Sequence, residues 1–102
     1  MKVVKLSHPN YEYDVHSLVK AFYAEDQVTV ITPETKPEKL AELEPQVSLE
    51  IELAETGAKI RVGEEDFLWD AETENLADGY KNGLKRFLYR TLSKVTGQKL
   101  PW

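Results

Sequence analysis

The sequence has 102 residues, enough for one domain with a single modest core, and its composition of 41% hydrophobic and 30% charged residues is ordinary for a globular protein. No stretch approaches the roughly 18 consecutive apolar residues of a membrane span, and the net charge of −5 disfavours binding to nucleic acid. The absence of cysteine excludes disulfides, a thiol nucleophile and an iron–sulfur cluster held by this chain, and it fits the cytoplasmic location that we expect.

The first three predicted elements are a strand, a helix and a strand. The valine-rich stretch KVVKL at residues 2–6 is typical of a strand. From Tyr11 onwards, apolar residues recur at the spacing of an amphipathic helix, which we expect to end near residues 24–26. The stretch QVTVIT at residues 27–32 predicts the second strand, which Pro33 ends.

Residues 33–45, PETKPEKLAELEP, contain three prolines and few apolar residues. This composition predicts a loop with one helical turn from Lys39 to Glu44. Leu40 and Leu43 are the side chains that could anchor it to the core.

The clearest local pattern lies in QVSLEIELAETGAKIRV, residues 46–62. Apolar and polar residues alternate through its first half, as in a strand with one buried face. A two-residue turn at Thr56-Gly57 would pair Leu53 with Ile60, so we predict a hairpin in that register.

The remaining elements are DFLWD and a long helix. Residues 66–70, DFLWD, either extend the hairpin past a bulge at Gly63 or form a short edge strand. Within residues 72–97 the apolar side chains fall on about 160° of a helix surface. Gly97 ends this helix as a C′ glycine.

These elements, in the order β-α-β-β-β-α, predict an α+β fold. We expect a small mixed sheet of about four strands with two helices packed on one face. Residues 1–97 are predicted to form this single domain.

Residues suited to catalysis are scarce. His8, Glu12 and His16 stand four residues apart, but Pro9 disfavours a helix at His8. Eight residues of helix would also separate the outer pair by about 12 Å, too far for one ion. The carboxylates are as frequent as the composition implies, and no serine lies in a nucleophile motif. We therefore predict no catalytic, cofactor-binding or metal-binding residue in this chain.

The charge is distributed unevenly along the chain. All 18 acidic residues lie in residues 1–79, whereas residues 80–102 contain six of the 13 Lys and Arg residues. One interpretation is a basic face for a partner. The other is a basic helix that packs beside an acidic sheet, with its cations favoured by the helix dipole.

A possible interaction surface follows from the helical wheel. If Tyr80 faces the core, Tyr89 points away from it among basic residues. An aromatic residue ringed by cations is typical of an interface anchor, although a solvated face with one stray tyrosine has the same pattern. The predicted surface consists of Lys85, Arg86, Tyr89 and Arg90, together with the terminal indole of Trp102.

The alternative function is that of a stand-alone RNA- or protein-binding module. Compact α+β domains can stack bases on aromatic side chains of the sheet. Phe67 and Trp69 are the side chains that could do so here.

The stretch LKRFLYRTLSKVTGQKLPW, residues 84–102, resembles the end of the N-terminal domain in oxygen-independent coproporphyrinogen III oxidase-like radical SAM proteins of the coproporphyrinogen dehydrogenase branch. In that branch a helix of the form K-x3-Y-x-x-L…T-G leads to a P-W or K-W pair. A segment G-x-L-T-G-I-R-P-T-K follows, and a C-x3-C-x2-C motif comes later. The residues that match are Lys85, Tyr89, Leu92, Thr96, Gly97, Pro101 and Trp102, and Phe22-Tyr23 fits as well.

The resemblance implies a non-catalytic accessory domain of an oxidoreductase of porphyrin (haem) biosynthesis. Residues 98–102 would then begin a linker to the catalytic domain, with Trp102 as the first residue of that connection. The parent protein would use a [4Fe–4S] cluster and S-adenosylmethionine, held outside this chain. Its own downstream catalytic domain is the implied partner, and Lys85, Arg86 and Arg90 would face an anionic tetrapyrrole that carries propionates. The segment alone is expected to be inactive.

Overall fold

A computed structural model describes residues 2–23, 27–70 and 79–99. Within these ranges the chain forms five strands and three α-helices. The strands are β1 (Lys2–Leu6), β2 (Val28–Ile31), β3 (Val47–Ala54), β4 (Gly57–Val62) and β5 (Glu65–Asp70), and the helices are α1 (Glu12–Tyr23), α2 (Pro37–Leu43) and α3 (Gly79–Thr96). A short 3-10 turn, Glu44–Gln46, connects α2 to β3.

The strands form one mixed sheet in the order β2-β1-β3-β4-β5. β1 pairs in parallel with both β2 and β3, and β3, β4 and β5 follow one another as an antiparallel meander. Parallel strands need a crossover connection. Helix α1 connects β1 to its neighbour β2, and α2 lies in the connection that carries the chain from β2 past β1 to β3. The predicted α+β class and the mixed sheet are confirmed.

The described residues contain one strand more than the predicted four, because DFLWD forms a strand of its own. A two-residue turn at Gly63-Glu64 reverses the chain, so that Val62 pairs with Glu65. Gly63 has a φ of 62°, in the left-handed region that glycine enters without steric cost. The chain therefore folds back along β4 as the edge strand β5 instead of extending the hairpin.

The described residues also contain a third helix, which corrects the prediction of two helices on one face. Successive strand residues point to opposite faces, and Val3 and Val4 accordingly belong to two separate buried clusters. Val4 lies with α1 and α3, as predicted for those two helices. Val3 packs with Ile31 and with Leu43 of α2, so α2 covers the opposite face.

Helix α2 replaces the predicted loop because its prolines lie where a helix accepts them. Pro37 occupies the first turn, where its missing N–H has no partner to lose. Pro45 lies beyond the last residue of α2, in the 3-10 turn. The two leucines predicted to anchor this segment to the core do so: Leu43 is buried, and Leu40 packs against the same cluster.

The hairpin forms with a register two residues away from the predicted one. The turn is Glu55-Thr56, not Thr56-Gly57, and Leu53 pairs with Ala58 where Ile60 was expected. A shift of two residues leaves every side chain on its predicted face. The apolar residues of both strands therefore still face α1 and α3.

Helix α3 ends as predicted. Gly97 has a φ of 71°, and its N–H donates to the Ser93 carbonyl oxygen over 2.9 Å. This bond satisfies one of the carbonyl groups that a helix end leaves without a partner. Residues 72–78 of the predicted helix lie outside the described residues, as does Trp102.

Replacing Gly57 with alanine is expected to destabilise the domain, because the added Cβ would collide with the backbone carbonyl oxygen of Trp69 on the neighbouring strand. Overpacking of this kind costs about 1–3 kcal/mol, which corresponds to a fall in Tm of about 5–20 °C for a domain of this size. Thermal unfolding followed by circular dichroism measures it. Thr56→Ala in the adjacent turn is the matched control and should leave Tm nearly unchanged. If Gly57→Ala also left Tm unchanged, the close approach of β4 and β5 at Gly57 would be contradicted.

Candidate functional site

The candidate site lies on α3, which divides into a buried side and a charged side. Its buried side packs on the sheet and on α1 through apolar residues, namely Leu84, Phe87, Leu88 and Leu92. The rest of the helix surface carries the basic residues identified in the sequence. The structure distributes these residues over different flanks of the helix.

Lys85 lies on the flank of α3 that faces α1. Its Nζ is 3.8 Å from one carboxylate oxygen of Asp14, and the Nζ of Lys81 is 3.7 Å from the other. Lysines four residues apart share one carboxylate because they lie one above the other on a helix. Lys85 therefore connects the two helices, and its charge already has a partner within the domain.

Tyr89 is half-buried and does not point directly away from the core as the helical wheel predicted. Its ring packs edge-on against Phe22 of α1, with 5.4 Å between the ring centroids. The wheel placed the core in the direction of Tyr80 alone, whereas α1 contacts α3 from the side. Tyr89 is therefore part of the helix packing as well as part of the surface.

Arg86 and Arg90 continue along the outer side of α3. Arg86 is half-buried and Arg90 is exposed. Lys94 follows Arg90 by four residues and is exposed as well, with its Nζ 5.8 Å from the ring centroid of Phe67 on β5. This spacing places the three cations on one stripe of the helix.

A groove of about 530 Å³ lies at the C-terminal end of this stripe. Its lining consists of Tyr89, Arg90, Ser93, Lys94, Gly97, Gln98 and Lys99. Three of these residues are cations, and no carboxylate is present among the described residues of the lining. The Ser93 hydroxyl is buried and has no hydrogen-bond partner within the described part of the chain.

The side chains that line the groove are suited to binding an anion. Arginine offers a planar fork that matches a carboxylate, and lysine offers a compact charge. Tyr89 adds a hydroxyl group, which is a hydrogen-bond donor, to the lining. The described lining contains no histidine or carboxylate that could act as a general base.

The structure keeps the two histidines apart. His8 lies in the turn before α1, where its Nδ1 accepts the N–H of Asn10 over 3.2 Å. His16 lies in α1, and its Nε2 donates to the Val28 carbonyl oxygen over 2.9 Å. In the described ranges no group of three potential metal ligands comes together.

The aromatic residues considered for RNA stacking do not form a platform on the sheet surface. Trp69 is 5% exposed, and its ring lies under α3 against Phe87, with 6.0 Å between the centroids. Phe67 is half-buried on the same face, beside Lys94. Base stacking by Trp69 is therefore excluded in this fold.

The predicted interaction surface lacked five residues of the groove, namely Ser93, Lys94, Gly97, Gln98 and Lys99. A signal for Lys94 was present, since it follows Arg86 and Arg90 at intervals of four in a segment without acids. Ser93 and Lys99 carried no such signal, because the groove forms only where the chain turns at Gly97.

Comparisons with protein families, with curated proteins and with solved structures found no match for this chain. In the described ranges, no helix has both the length and the apolar character needed to cross a membrane.

Tyr80 anchors the first turn of α3 beside the sheet. Its hydroxyl donates to the Gly57 carbonyl oxygen over 2.7 Å. Its ring contacts Trp69 and Tyr11, with centroid distances of 5.2 and 5.7 Å. Burial raises the pKa of Tyr80 above its ordinary value of 10.0.

Tyr80→Phe should lower the free energy of unfolding by about 1 kcal/mol at pH 7, because one partly buried hydrogen bond is lost. This cost should shrink above about pH 10. There a tyrosine at position 80 ionises in the unfolded chain while Tyr80 in the folded chain keeps its proton, so the wild type loses stability through this residue. The phenylalanine variant has no such loss at position 80. Urea unfolding at pH 7 and pH 11 measures both. Tyr13→Phe, at a side chain that is 81% exposed, is the control, and a cost independent of pH would contradict the raised pKa.

Proposed function

We propose that this chain is the non-catalytic N-terminal accessory domain of a radical SAM coproporphyrinogen III oxidase- or dehydrogenase-like protein of porphyrin biosynthesis, located in the cytoplasm. Its role is to bind carboxylates in the groove at the end of α3. These belong either to an acidic surface of the parent's catalytic domain or to the propionates of an anionic tetrapyrrole. The observation that carries the proposal is a groove with three cations and no carboxylate among its described lining residues.

The resemblance and the groove involve the same segment of the chain. Tyr89 belongs to the matching pattern and also lines the groove. Gly97, another residue of the pattern, ends α3 and turns the chain along the groove. Two of the residues that carry the resemblance thus line the groove.

The composition assigns the redox chemistry to another part of the parent protein. A [4Fe–4S] cluster needs cysteine thiolates, and this chain contains no cysteine. The chain's residues therefore do not fit the cluster, and no step of the reaction is attributed to them. Binding is the contribution that remains for this domain.

The groove is expected to bind carboxylates in a salt-dependent manner. Each hydrogen bond to a charged group contributes about 1.5–3 kcal/mol, and Arg90 and Lys94 are exposed. Attraction between exposed charges decays over a Debye length of about 8 Å at physiological ionic strength, and added salt shortens this length. Binding should therefore weaken as salt increases.

The test is the double variant Arg90→Ala, Lys94→Ala in the full-length protein. The matched control, Lys20→Ala with Lys36→Ala, removes the same charge from exposed positions on α1 and before α2. If the groove binds substrate, we expect KM to rise about tenfold or more with little change in kcat, since about 1.4 kcal/mol corresponds to a factor of ten. If it binds the catalytic domain, the affinity of this domain added separately should fall by a similar factor.

Two results would overturn the proposal. Unchanged kinetics together with unchanged association would remove the groove from the function. A coding sequence that does not continue into three closely spaced cysteines would remove the radical SAM assignment. In the second case, salt-sensitive binding of the chain to RNA would favour the alternative of a stand-alone binding module, which the cationic groove also allows.

A further inference from the structure

One side chain links the last turn of α3 to the residues that follow the helix. The Thr96 hydroxyl donates to the Leu92 carbonyl oxygen over 2.7 Å, and it accepts the N–H of Gln98 over 3.3 Å. Leu92 is fully buried, so the helical end of this link is fixed to the core. Thr96 therefore ties the chain beyond α3 to a rigid part of the domain.

The chain needs such a link because the residue at the turn restrains itself little. Gly97 has a φ of 71°, and glycine has more conformational freedom to lose than any other residue. Helix ends also fray. The bond from Gly97 to the Ser93 carbonyl oxygen fixes the glycine nitrogen, and the bond from Gln98 to Thr96 fixes the residue after it.

The residues held by this link complete the lining of the groove at the end of α3. Gln98 and Lys99 are exposed and lie outside any helix or strand, yet both line the groove. The other two cations of the lining, Arg90 and Lys94, belong to α3 itself. The helix backbone thus places two of the cations, whereas the turn after Gly97 places Lys99.

Thr96 acts on the groove only through other residues. It is half-buried and is not a residue of the lining, and its hydroxyl is engaged in the two bonds described above. Holding a charged residue in place before a ligand arrives reduces the entropy that is lost on binding. The hydroxyl can therefore raise the affinity of the groove without touching the ligand.

We propose that Thr96 is a positioning residue of this groove, because its hydroxyl holds the turn in the conformation that presents Lys99 to a bound carboxylate. The inference rests on the proposed function, in which the groove binds carboxylates. It adds a residue outside the lining that determines how tightly the groove binds them.

The test compares Thr96→Val, which lacks the hydroxyl, with Thr96→Ser, which keeps it. The probe is propane-1,2,3-tricarboxylate, titrated at low salt into the 102-residue chain while the amide signals of residues 89–99 are followed by NMR. We expect Thr96→Val to raise Kd about threefold, the size expected for one exposed cation. Thr96→Ser should restore the wild-type Kd. Thr56→Val, at an exposed threonine in the turn between β3 and β4, is the matched control and should leave Kd unchanged.

A double-mutant cycle separates positioning of Lys99 from a general loosening of the helix end. Once Lys99 is replaced with alanine, Thr96→Val should have little further effect on Kd, because the two changes remove the same contribution. Loosening of the helix end would also weaken the contacts of Arg90 and Lys94, so its effect would persist in the Lys99→Ala background.

Three results would overturn the inference while the proposed function stands. These are an unchanged Kd for Thr96→Val, a failure of Thr96→Ser to restore binding, and an undiminished effect of Thr96→Val in the Lys99→Ala background. In each case the wild-type chain still binds the tricarboxylate, and the double variant Arg90→Ala, Lys94→Ala still weakens that binding. A wild-type chain that does not bind the tricarboxylate would overturn both the inference and the carboxylate-binding role of the groove.

Discussion

The fold depends on β1, which is hydrogen-bonded on both sides and buried on both faces. Val3 on one face and Val4 on the other are both fully buried. Such a strand tolerates few polar side chains, because each would lose its water without gaining a partner. The two lysines of β1 are accommodated at its surface. Lys2 lies 3.9 Å from the ring centroid of Tyr23, and Lys5 lies 3.2 Å from a carboxylate oxygen of Glu44. Helices α1 and α2 are thus both positioned by the same short strand.

The antiparallel half of the sheet follows a different rule from β1. An antiparallel sheet can leave one face in water, and here α3 covers one face of β4 and β5 while the other carries the pairs Lys59–Glu52 and Arg61–Asp66. Helix α3 has to bury only its apolar side. Its apolar core contacts do not involve the exposed side chains of Arg90 and Lys94, so these cations lie outside the core.

Features that depend on periodicity could be predicted from the sequence, and features that depend on local geometry could not. The strand β1, the helix α1, the alternation in β3 and the glycine stop of α3 follow from residue spacing alone. The full length of helix α2 was not predicted, because a proline usually ends a helix. Pro37 is compatible with α2 only because it lies in the first turn, and the sequence alone does not show that position. The turn at Glu55-Thr56 was missed because Thr-Gly is the better local turn signal, whereas Gly57 is already paired with Ala54 as the first residue of β4. In the candidate site, Arg90 could be predicted from the charge pattern of the sequence. The turn after Gly97, which completes the groove, could not.

The position of the groove at the end of α3 limits what it can recognise. A helix C-terminus carries about −0.5 of an elementary charge, so the helix dipole opposes an anion there, unlike at a helix N-terminus, where backbone N–H groups bind phosphate. The side-chain charges of Arg90, Lys94 and Lys99 outweigh this contribution, and recognition must come from them. The planar guanidinium fork of Arg90 fits a carboxylate with two parallel hydrogen bonds. A site built in this way favours planar carboxylates held by side chains, and it agrees better with propionates or acidic residues than with a phosphate group cradled by backbone.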